Sequence, residues 1–395
     1  MYMSKGNIKE LSSNSNKYSY ILRAMALSVL ATLMPSLSYA QMDNVVIAYQ
    51  GPLTGADASL GIDELNGVKY AVNIFNQKYS GKINVAIKEI DDQGSPNVAA
   101  SAARIASQDN SIIGIVGPAF SGAAKQSLPY FRLANIPVIS PSTHNVALTD
   151  NSQELIGFPI FHRLALTDKT QAPSLYSIAT NGVSNARVFL VDGWSPNGAD
   201  LIQYLKQGNS IANIFGMDSI PDSTLDFTAT IQKIKAVNAN VVIYSGLVPQ
   251  ATSFFKQLLD SGYIGVLTLS FNPLTSSLIS LPIPDFFPSS KLEGLRIVSA
   301  TIPLSFISGE LEADFFKRIH RKSGVYTLES IDATNIFLYC IARGIRTRNN
   351  MLICIKQFKG YSLTGNILSF DSNGDILNPK WHEFRISKSR IQNTP

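Results

Sequence analysis

The sequence has few of the residues that bind metal ions. Its 395 residues include four histidines and two cysteines. The histidines are His144, His162, His320 and His382. A tetrahedral zinc site needs several such ligands close together, and neither cysteine has a histidine near it in the sequence. We therefore expect no metal ion and no cofactor.

The two cysteines, Cys340 and Cys354, both lie in apolar stretches, "FLYCIARG" and "LICIKQF". An oxidising compartment would allow a disulfide between them. Free cysteine also packs readily in protein cores. We favour the second interpretation, two buried thiols on neighbouring helices.

The sequence lacks an apolar run long enough to cross a bilayer as a helix, which takes roughly 20 residues. The run from Ala24 to Leu37 is about 14 residues long, basic residues outnumber acidic ones before it, and the small residues Ser38 and Ala40 follow it. This pattern predicts a cleavable signal peptide at residues 1–40 and a periplasmic protein. An uncleaved anchor is the alternative. The sequence has no cysteine near residue 40, so it does not support a lipid anchor there.

A strong excess of charge of one sign is also missing. Four of the 33 basic and one of the 28 acidic residues lie in the predicted signal peptide, which leaves 29 and 27 and a net charge of +2. No basic stripe with interleaved aromatic residues is present. We therefore expect no nucleic-acid partner.

The remaining 355 residues exceed what one hydrophobic core usually serves, so two domains are expected. Short β-branched runs alternate with amphipathic stretches, which predicts an α/β fold with parallel sheets. Strands are predicted at residues 44–49, 83–91 and 112–116. A helix is predicted around residues 64–76, and another begins at Ser95 and Pro96, a capping hydroxyl followed by proline.

The second half of the sequence repeats this organisation. An amphipathic helix runs into an apolar strand that ends at Gly246, as an earlier strand ends at Gly117. Val138, in the next strand, follows Gly117 by 21 residues, and Val266 follows Gly246 by 20. Two similar lobes explain the repeat. Ligands of such sheets bind beyond the carboxyl ends of the strands.

The stretch "IIGIVGPAFSGAAKQ", residues 112–126, places one hydroxyl where a strand gives way to a helix. Ser121 is expected at the helix N-terminus, where free N–H groups and the helix dipole favour an anion. Gly122 has no side chain that would block the approach of an anion to these N–H groups. Ser121 as an ordinary helix cap is the alternative.

A second stretch, "IPVISPSTHN", ends another apolar strand in polar residues about 20 positions later. These are Ser140, Ser142, Thr143 and His144. Because neighbouring parallel strands end at the same edge, the two loops are expected to surround one carboxylate without an arginine.

These residues resemble the leucine/isoleucine/valine-binding proteins of bacterial ABC importers. Four stretches carry the resemblance, in the same order as in that family: "GPLTGADASLGIDELNGVKYAVNIFN", "DDQGSPNVAASAAR", "GIVGPAFSGAAKQSLPYFRLANIPVISPSTHNVALT" and "LTGNILSFDSNGD". The resemblance implies the type I periplasmic binding protein fold: two Rossmann-like lobes with parallel central sheets and a three-stranded hinge. It also implies a small-molecule ligand, a permease partner and a monomer.

The resemblance also predicts the lobe boundaries. Lobe 1 is expected to comprise residues 44–162 and 298–368. Lobe 2 is expected to comprise residues 163–297 and 369–390.

The same resemblance assigns residues to the ligand. Ser121 matches the serine that binds the ligand carboxylate, and Ser142 matches a position that contacts it through the backbone. His144 stands where a threonine is usual. The full set of predicted ligand-binding residues is Ser59, Phe120, Ser121, Ser142, Thr143, His144, Trp194, Asn197, Leu247 and Asn272.

Three further positions depart from the family. Asn272 aligns with the acidic residue that holds the ligand's ammonium group. Pro196 or Asn197 aligns with one aromatic residue, and Leu247 aligns with another. Trp194 is a candidate replacement for one aromatic. A buried ammonium group without a carboxylate is costly, which favours a ligand without a free amine.

Misalignment is the alternative explanation for the missing acid, with Asp285 or Glu293 in its place. The predicted function is an extracytoplasmic solute-binding protein that delivers a small carboxylate to an ABC transporter, with a branched-chain or other apolar amino acid as the family default. The alternatives are an apolar or aromatic carboxylate or an amide as ligand, or a sensor that presents its ligand to a receptor.

An enzyme is not expected. The sequence has no Gly-x-Ser-x-Gly elbow, no phosphate-binding Gly-x-x-x-x-Gly-Lys and no His-Glu-x-x-His. Ser121 and His144 resemble a nucleophile and base pair, but no buried acid that would orient the imidazole is evident from the sequence.

Overall fold

The computed structural model describes residues 42–150, 157–193, 196–207, 212–221, 223–246, 248–270, 292–379, 381–387 and 390–394. The predicted signal peptide lies outside these residues. So do three predicted ligand-binding residues, Trp194, Leu247 and Asn272.

The first half of the chain forms a five-stranded sheet. Its strands are β1 (Asp43–Gly51), β2 (Ile83–Asp91), β3 (Ile112–Val116), β4 (Val138–Ser140) and β5 (Phe161–Arg163). They are arranged in the order β2-β1-β3-β4-β5, and β3 is parallel to both β1 and β4. The sequence predicted the bounds of β2 and β3 without error, because isoleucine and valine recur through β2 and β3 is an apolar run, each between polar turns.

Three helices connect these strands. They are α1 (Ala58–Lys78), α2 (Pro96–Ser107) and α3 (Ser121–Leu133). The stripe predicted for α1, which includes Leu65 and Val72, is buried. Pro96 begins α2 as predicted, but the side chain of Ser95 makes no capping hydrogen bond.

The second sheet has seven strands. They are β6 (Val188–Asp192), β7 (Ile214–Ser219), β8 (Val241–Ser245), β9 (Val266–Ser270), β10 (Arg296–Ser299), β13 (His382–Ser387) and β14 (Arg390–Thr394), and a hairpin of β11 (Gly360–Tyr361) and β12 (Ile367–Leu368) precedes β13 in the chain. The order is β14-β13-β10-β9-β8-β6-β7. The pairs from β7 to β10 are parallel, and β13 and β14 add an antiparallel edge.

Eight further helices follow in the described residues. They are α4 (Asp168–Thr180), α5 (Pro196–Gln207), α6 (Thr228–Ala236), α7 (Val248–Asp260), α8 (Leu304–Ile307), α9 (Gly309–Ile319), α10 (Thr327–Ala342) and α11 (Arg348–Lys356). Helices α10 and α11 both contact β3 of the first sheet, although the chain has by then passed through the second.

Glycines allow α10 to approach the first sheet and α1 closely. A Cβ atom at Gly114 of β3 would lie 2.2 Å from the ring of Phe337 in α10. A Cβ atom at Gly67 of α1 would lie 2.6 Å from the carbonyl oxygen of Thr327. Only glycine fits at such separations. Most residues of α10 are therefore buried, and only the face that carries Asn335 and Tyr339 is exposed.

The chain passes between the two sheets three times: after β5, after β10 and before β13. The first and third connections touch, because Arg163 forms a parallel bridge with Asp375. These three connections form the hinge that the sequence predicted for this fold.

The interpretation of the cysteines as free thiols was wrong. Cys340 of α10 and Cys354 of α11 form a disulfide, with their Cα atoms 6.1 Å apart. The two helices are neighbours as predicted, and their packing brings the thiols within bonding distance. An apolar sequence context did not distinguish the two outcomes, since a half-cystine is buried as readily as a thiol.

Candidate ligand-binding site

The carboxyl ends of β1, β3 and β4 lie side by side in the first sheet. Val116, the last residue of β3, is paired with Tyr49 of β1 and with Ile139 of β4. The chain leaves β3 through Gly117, which has a φ of 109°. A Cβ atom there would lie 2.1 Å from the carbonyl oxygen of Gln50, so this break in the strand requires glycine.

Ser121 is the first residue of α3, and its hydroxyl does not cap that helix. The N-cap position belongs to Phe120. The hydroxyl oxygen of Ser121 accepts a hydrogen bond from the backbone N–H of Asn145 at 3.3 Å, so it joins the loops that follow β3 and β4. The interpretation as an ordinary helix cap is therefore wrong.

The N-terminus of α3 leaves donors available beside Ser121. The first backbone bond of the helix runs from the N–H of Ala124 to the carbonyl of Phe120 at 2.8 Å. The N–H groups of residues 121–123 precede it and have no partner within the helix. Gly122 is exposed, so an anion can approach these groups.

Side-chain hydroxyls hold the loop after β4 against the loop after β3. Ser140 donates to the carbonyl of Pro118 at 2.8 Å, and Ser142 donates to that of Ala119 at 2.7 Å. Thr143 is fully buried and donates to the oxygen of Ser140 at 2.9 Å. The two loops that the sequence predicted to meet therefore form one connected surface.

His144 follows this buried segment and is paired with an acid that the sequence analysis missed. Its Nδ1 lies 3.1 Å from a carboxylate oxygen of Asp168, the first residue of α4. A buried acid therefore does orient this imidazole, contrary to the expectation from the sequence, since the Asp168 side chain is 4% exposed. The two residues are 24 positions apart, and only the docking of α4 beside this loop brings them together.

A buried arginine ties the same loop to the hinge. The guanidinium of Arg163 donates to the carbonyl of Asn145 at 2.6 Å and to the hydroxyl of Thr149. It also donates from Nε to the carboxylate of Asp375 at 2.6 Å. No local sequence pattern predicts this contact, because Asp375 lies 212 residues further along the chain.

Buried carboxyl groups lie behind the loops. Glu64 of α1 is fully buried and accepts a hydrogen bond from the hydroxyl of Tyr49 at 3.2 Å. Burial raises the pKa of Glu64 to about 8, against the lowering effects of the Ser142 and Tyr49 hydroxyls. Glu64 is therefore protonated at neutral pH.

Two more buried acids lie on α10. Burial raises the pKa of Glu329 to about 8, and that residue accepts a hydrogen bond from Thr301 at 2.9 Å. Burial also raises the pKa of Asp332 to about 7. Within the described part of the chain, no group of three or more histidine, cysteine, aspartate or glutamate side chains is arranged to hold a metal ion.

Two other predicted residues belong to the same edge of the first sheet. Phe120 is half-buried, and its ring packs beside Gly94, where a Cβ atom would lie 3.1 Å from it and 3.5 Å from the carboxylate of Asp57. Ser59 is exposed in the first turn of α1. The loops after β1, β2 and β3 thus meet at this edge.

The remaining predicted residues follow strands of the second sheet in the sequence. Asp192, Ser245 and Ser270 end three neighbouring strands and are in register. The predicted positions 194, 247 and 272 each follow one of these ends by two residues and lie outside the described residues. Asn197 is in the first turn of α5, where the structure describes only the backbone.

The fold and this edge define a class of protein. Two sheets with parallel central strands, joined by three connections, with polar loops and a helix N-terminus at the carboxyl ends of the strands, are the architecture of a type I periplasmic binding protein. Residues 44–343 match the family model described as periplasmic binding protein. The chain belongs to this family, in the group that contains the leucine/isoleucine/valine-binding proteins.

Curated relatives are similar over part of the chain. The leucine-specific-binding protein of Salmonella typhimurium is 27% identical over 228 residues, 56% of this chain and 60% of the relative. The Leu/Ile/Val-binding protein BraC3 of Rhizobium johnstonii is 28% identical over 242 residues, 58% of this chain and 62% of the relative. The matched region thus spans about three-fifths of each relative.

Solved structures share the fold at low identity. The substrate binding protein LivJ of Streptococcus pneumoniae, in complex with isoleucine, is similar with a TM-score of 0.69 and 17% identity, covering 89% of this chain and all of that one. A solute binding protein of Rhodopseudomonas palustris, in complex with 4-hydroxybenzoate, has a TM-score of 0.70 and 17% identity, covering 89% and 96%. In the described residues, no helix is long and apolar enough to span a membrane.

Proposed function

We propose that this protein is an extracytoplasmic solute-binding protein that captures a small carboxylate between two lobes and delivers it to an ABC transporter. A branched-chain or other apolar amino acid is the ligand we favour. The observation that carries the proposal is the position of Ser121, whose hydroxyl bonds to Asn145 of the neighbouring loop instead of capping its own helix.

Hydrogen-bond donors without a positive side chain suit a carboxylate at this position. The free N–H groups at the start of α3 and the helix dipole favour negative charge. Ser121 supplies a hydroxyl beside them. The second lobe would close over the ligand from the ends of β6, β8 and β9, where the predicted residues of that lobe follow the strands.

The two lobes are proposed to be residues 44–162 with 298–368, and residues 163–297 with 369–390. The chain's membership in a periplasmic binding protein family supports export through the signal peptide at residues 1–40. The relatives are binding proteins, which supports a role other than catalysis.

An aromatic acid is a second candidate ligand. Structural neighbours of this chain were solved with 4-hydroxybenzoate and with 3,4-dihydroxybenzoic acid. The fold therefore accommodates acids with no amine.

Calorimetric titration of the purified protein tests the proposal. We expect a carboxylate from a panel of the twenty standard amino acids, 4-methylpentanoate and 4-hydroxybenzoate to bind with 1:1 stoichiometry. If no acid in this panel binds, the proposed function is wrong.

A further inference from the structure

A surface pocket lies where the chain enters β5, beside the third connection between the sheets. Its volume is about 390 Å³, and it is lined by Phe158, Pro159, Phe161, His162, Lys356 and the turn at residues 370–374. Pockets that hold small molecules in proteins have volumes of about 300–1,000 Å³. This pocket, called the rear pocket below, is therefore large enough for a small ligand.

The rear pocket and the proposed ligand-binding site lie at opposite ends of the same strands. Phe161, the first residue of β5, is paired in a parallel ladder with Val138, the first residue of β4. Phe158 precedes this end of the two strands, whereas residues 142–145 follow the other end of β4. The rear pocket is thus a separate site at the amino ends of the strands.

Three phenylalanines supply the apolar part of the rear pocket. Phe158 is 39% exposed, so a ligand can still cover part of its ring. Phe161 and Phe370 are buried, and the ring of Phe370 packs edge-on against the imidazole of His162, with the ring centroids 4.9 Å apart. Closely packed side chains of this kind give the pocket a fixed shape. An aromatic ring can therefore pack against this wall.

Lys356 supplies positive charge at the same place. It is the last residue of α11, and its Nζ lies 5.4 Å from the centroid of the Phe158 ring. In the part of the chain that the structure describes, no acid forms an ion pair with this ammonium group. His162 adds no charge, because burial and the nearby charge of Lys356 lower its pKa to about 4.

The acid in the lining, Asp371, is engaged within its own turn. One oxygen of its carboxylate accepts hydrogen bonds from the backbone N–H groups of Asn373 at 2.8 Å and of Asp375 at 2.9 Å. These bonds offset part of its negative charge. The rear pocket thus combines an aromatic wall with the ammonium group of Lys356, which suits a ligand that has a ring and one negative charge.

We propose that the rear pocket binds a small aromatic carboxylate, whose ring packs against Phe158 and whose carboxylate pairs with Lys356. The inference is independent of the proposed function, because the two sites share no residue. A ligand in the rear pocket would contact α11 through Lys356 and the third connection through residues 370–374.

Benzoate is a suitable probe, and NMR of the isotope-labelled protein shows where it binds. We expect a dissociation constant of about 1 mM, because so small a ligand makes few contacts. The backbone amide signals of residues 372–374 should shift on titration. No shift at these residues, or shifts only at residues 121–123 of the proposed ligand-binding site, would overturn the inference.

Lys356→Met tests the role of the charge, since methionine keeps an apolar chain and removes the ammonium group. We expect benzoate to bind about tenfold more weakly at the rear pocket. Lys82→Met is the matched control, because Lys82 is exposed and precedes β2 at the opposite edge of the first sheet. The control should leave the affinity unchanged. Equal affinities of the two variants would overturn the inference.

Phe158→Ala tests the role of the ring and should also weaken benzoate binding about tenfold. Its control is Phe316→Ala, because Phe316 is 52% exposed on α9 and does not line the rear pocket. An unchanged affinity in Phe158→Ala would overturn the inference.

Benzamide, which has the ring but no charge, should bind the unaltered protein about tenfold more weakly than benzoate. Equal binding of the two compounds would contradict a carboxylate site. If Phe158→Ala does not fold, Lys356→Met and the comparison of these two compounds decide the question.

Discussion

The Nε of Arg163 lies 2.6 Å from a carboxylate oxygen of Asp375, and this ion pair joins the first and third connections between the sheets. The arginine side chain is fully buried, and the aspartate side chain is 26% exposed. The same guanidinium donates to the carbonyl of Asn145, so one arginine side chain binds both the hinge and the loop at the proposed site.

Asp375→Asn should destabilise the protein, because it leaves the buried guanidinium of Arg163 without a counter-ion. We expect the free energy of unfolding to fall by about 3 kcal/mol, measured by urea denaturation. The control is Asp260→Asn, which removes the exposed pair with Lys256 and should cost less than about 0.5 kcal/mol. Equal effects of the two substitutions would contradict the importance of the buried pair.

Ser121→Ala should weaken binding of whichever carboxylate the protein accepts. The hydroxyl oxygen accepts a hydrogen bond from the N–H of Asn145, so its loss removes one donor to the proposed ligand and one bond between loops. We expect a loss of about 1–3 kcal/mol in calorimetric affinity. Ser101→Ala is the control, since that exposed hydroxyl bonds only within α2. Unchanged affinity would remove Ser121 from the site.

The stability of the protein should fall as the pH rises towards 9. Glu64 has a pKa of about 8 in the folded protein, above the ordinary value of 4.5 that it regains on unfolding. The folded state therefore holds this proton more tightly. The stability that this provides is complete below pH 4.5 and is lost as the pH rises through 8.

Thermal unfolding at several pH values checks this expectation. The Tm should decrease between pH 5.5 and pH 8.5, and less so in Glu64→Gln, which cannot ionise. Glu89→Gln is the control, because Glu89 is 44% exposed and paired with Lys69. An identical pH profile for Glu64→Gln and the unaltered protein would show that Glu64 does not titrate in this range.

Loss of the disulfide should also destabilise the protein. Cys340 and Cys354 are 14 residues apart, and closing a loop of this length contributes about 3 kcal/mol through the unfolded chain. We expect a loss of this size in the double variant Cys340→Ala/Cys354→Ala, measured by urea denaturation. Dithiothreitol should have the same effect on the unaltered protein and none on the variant. A variant as stable as the parent would contradict this account.

The sequence predicted much of the backbone of the site. Gly117 and Ser121 mark the end of β3 and the start of α3 where they were expected, because the apolar run, the glycine and the small polar residues are all local signals. The neighbouring position of β4 also followed from the rules for parallel sheets. The partner of the Ser121 hydroxyl could not be predicted in this way, because no local sequence pattern marks Asn145.

The contacts that the sequence missed all join distant residues. Asp168 reads locally as an acid in the first turn of a helix, and Asp375 as part of a turn. Their roles depend on His144 and Arg163, which lie 24 and 212 residues away from them in the sequence.

The sequence by itself determined the alternation of strands and helices and the family of the protein, because hydrophobic periodicity and turn residues act over a few positions. Only the tertiary structure decided which side chains share a site. It joined Cys340 to Cys354, placed Asp168 behind His144 and buried Arg163 between Asn145 and Asp375. Such contacts depend on how whole helices and sheets pack, and that packing is set by the complete core and not by any one segment of the chain.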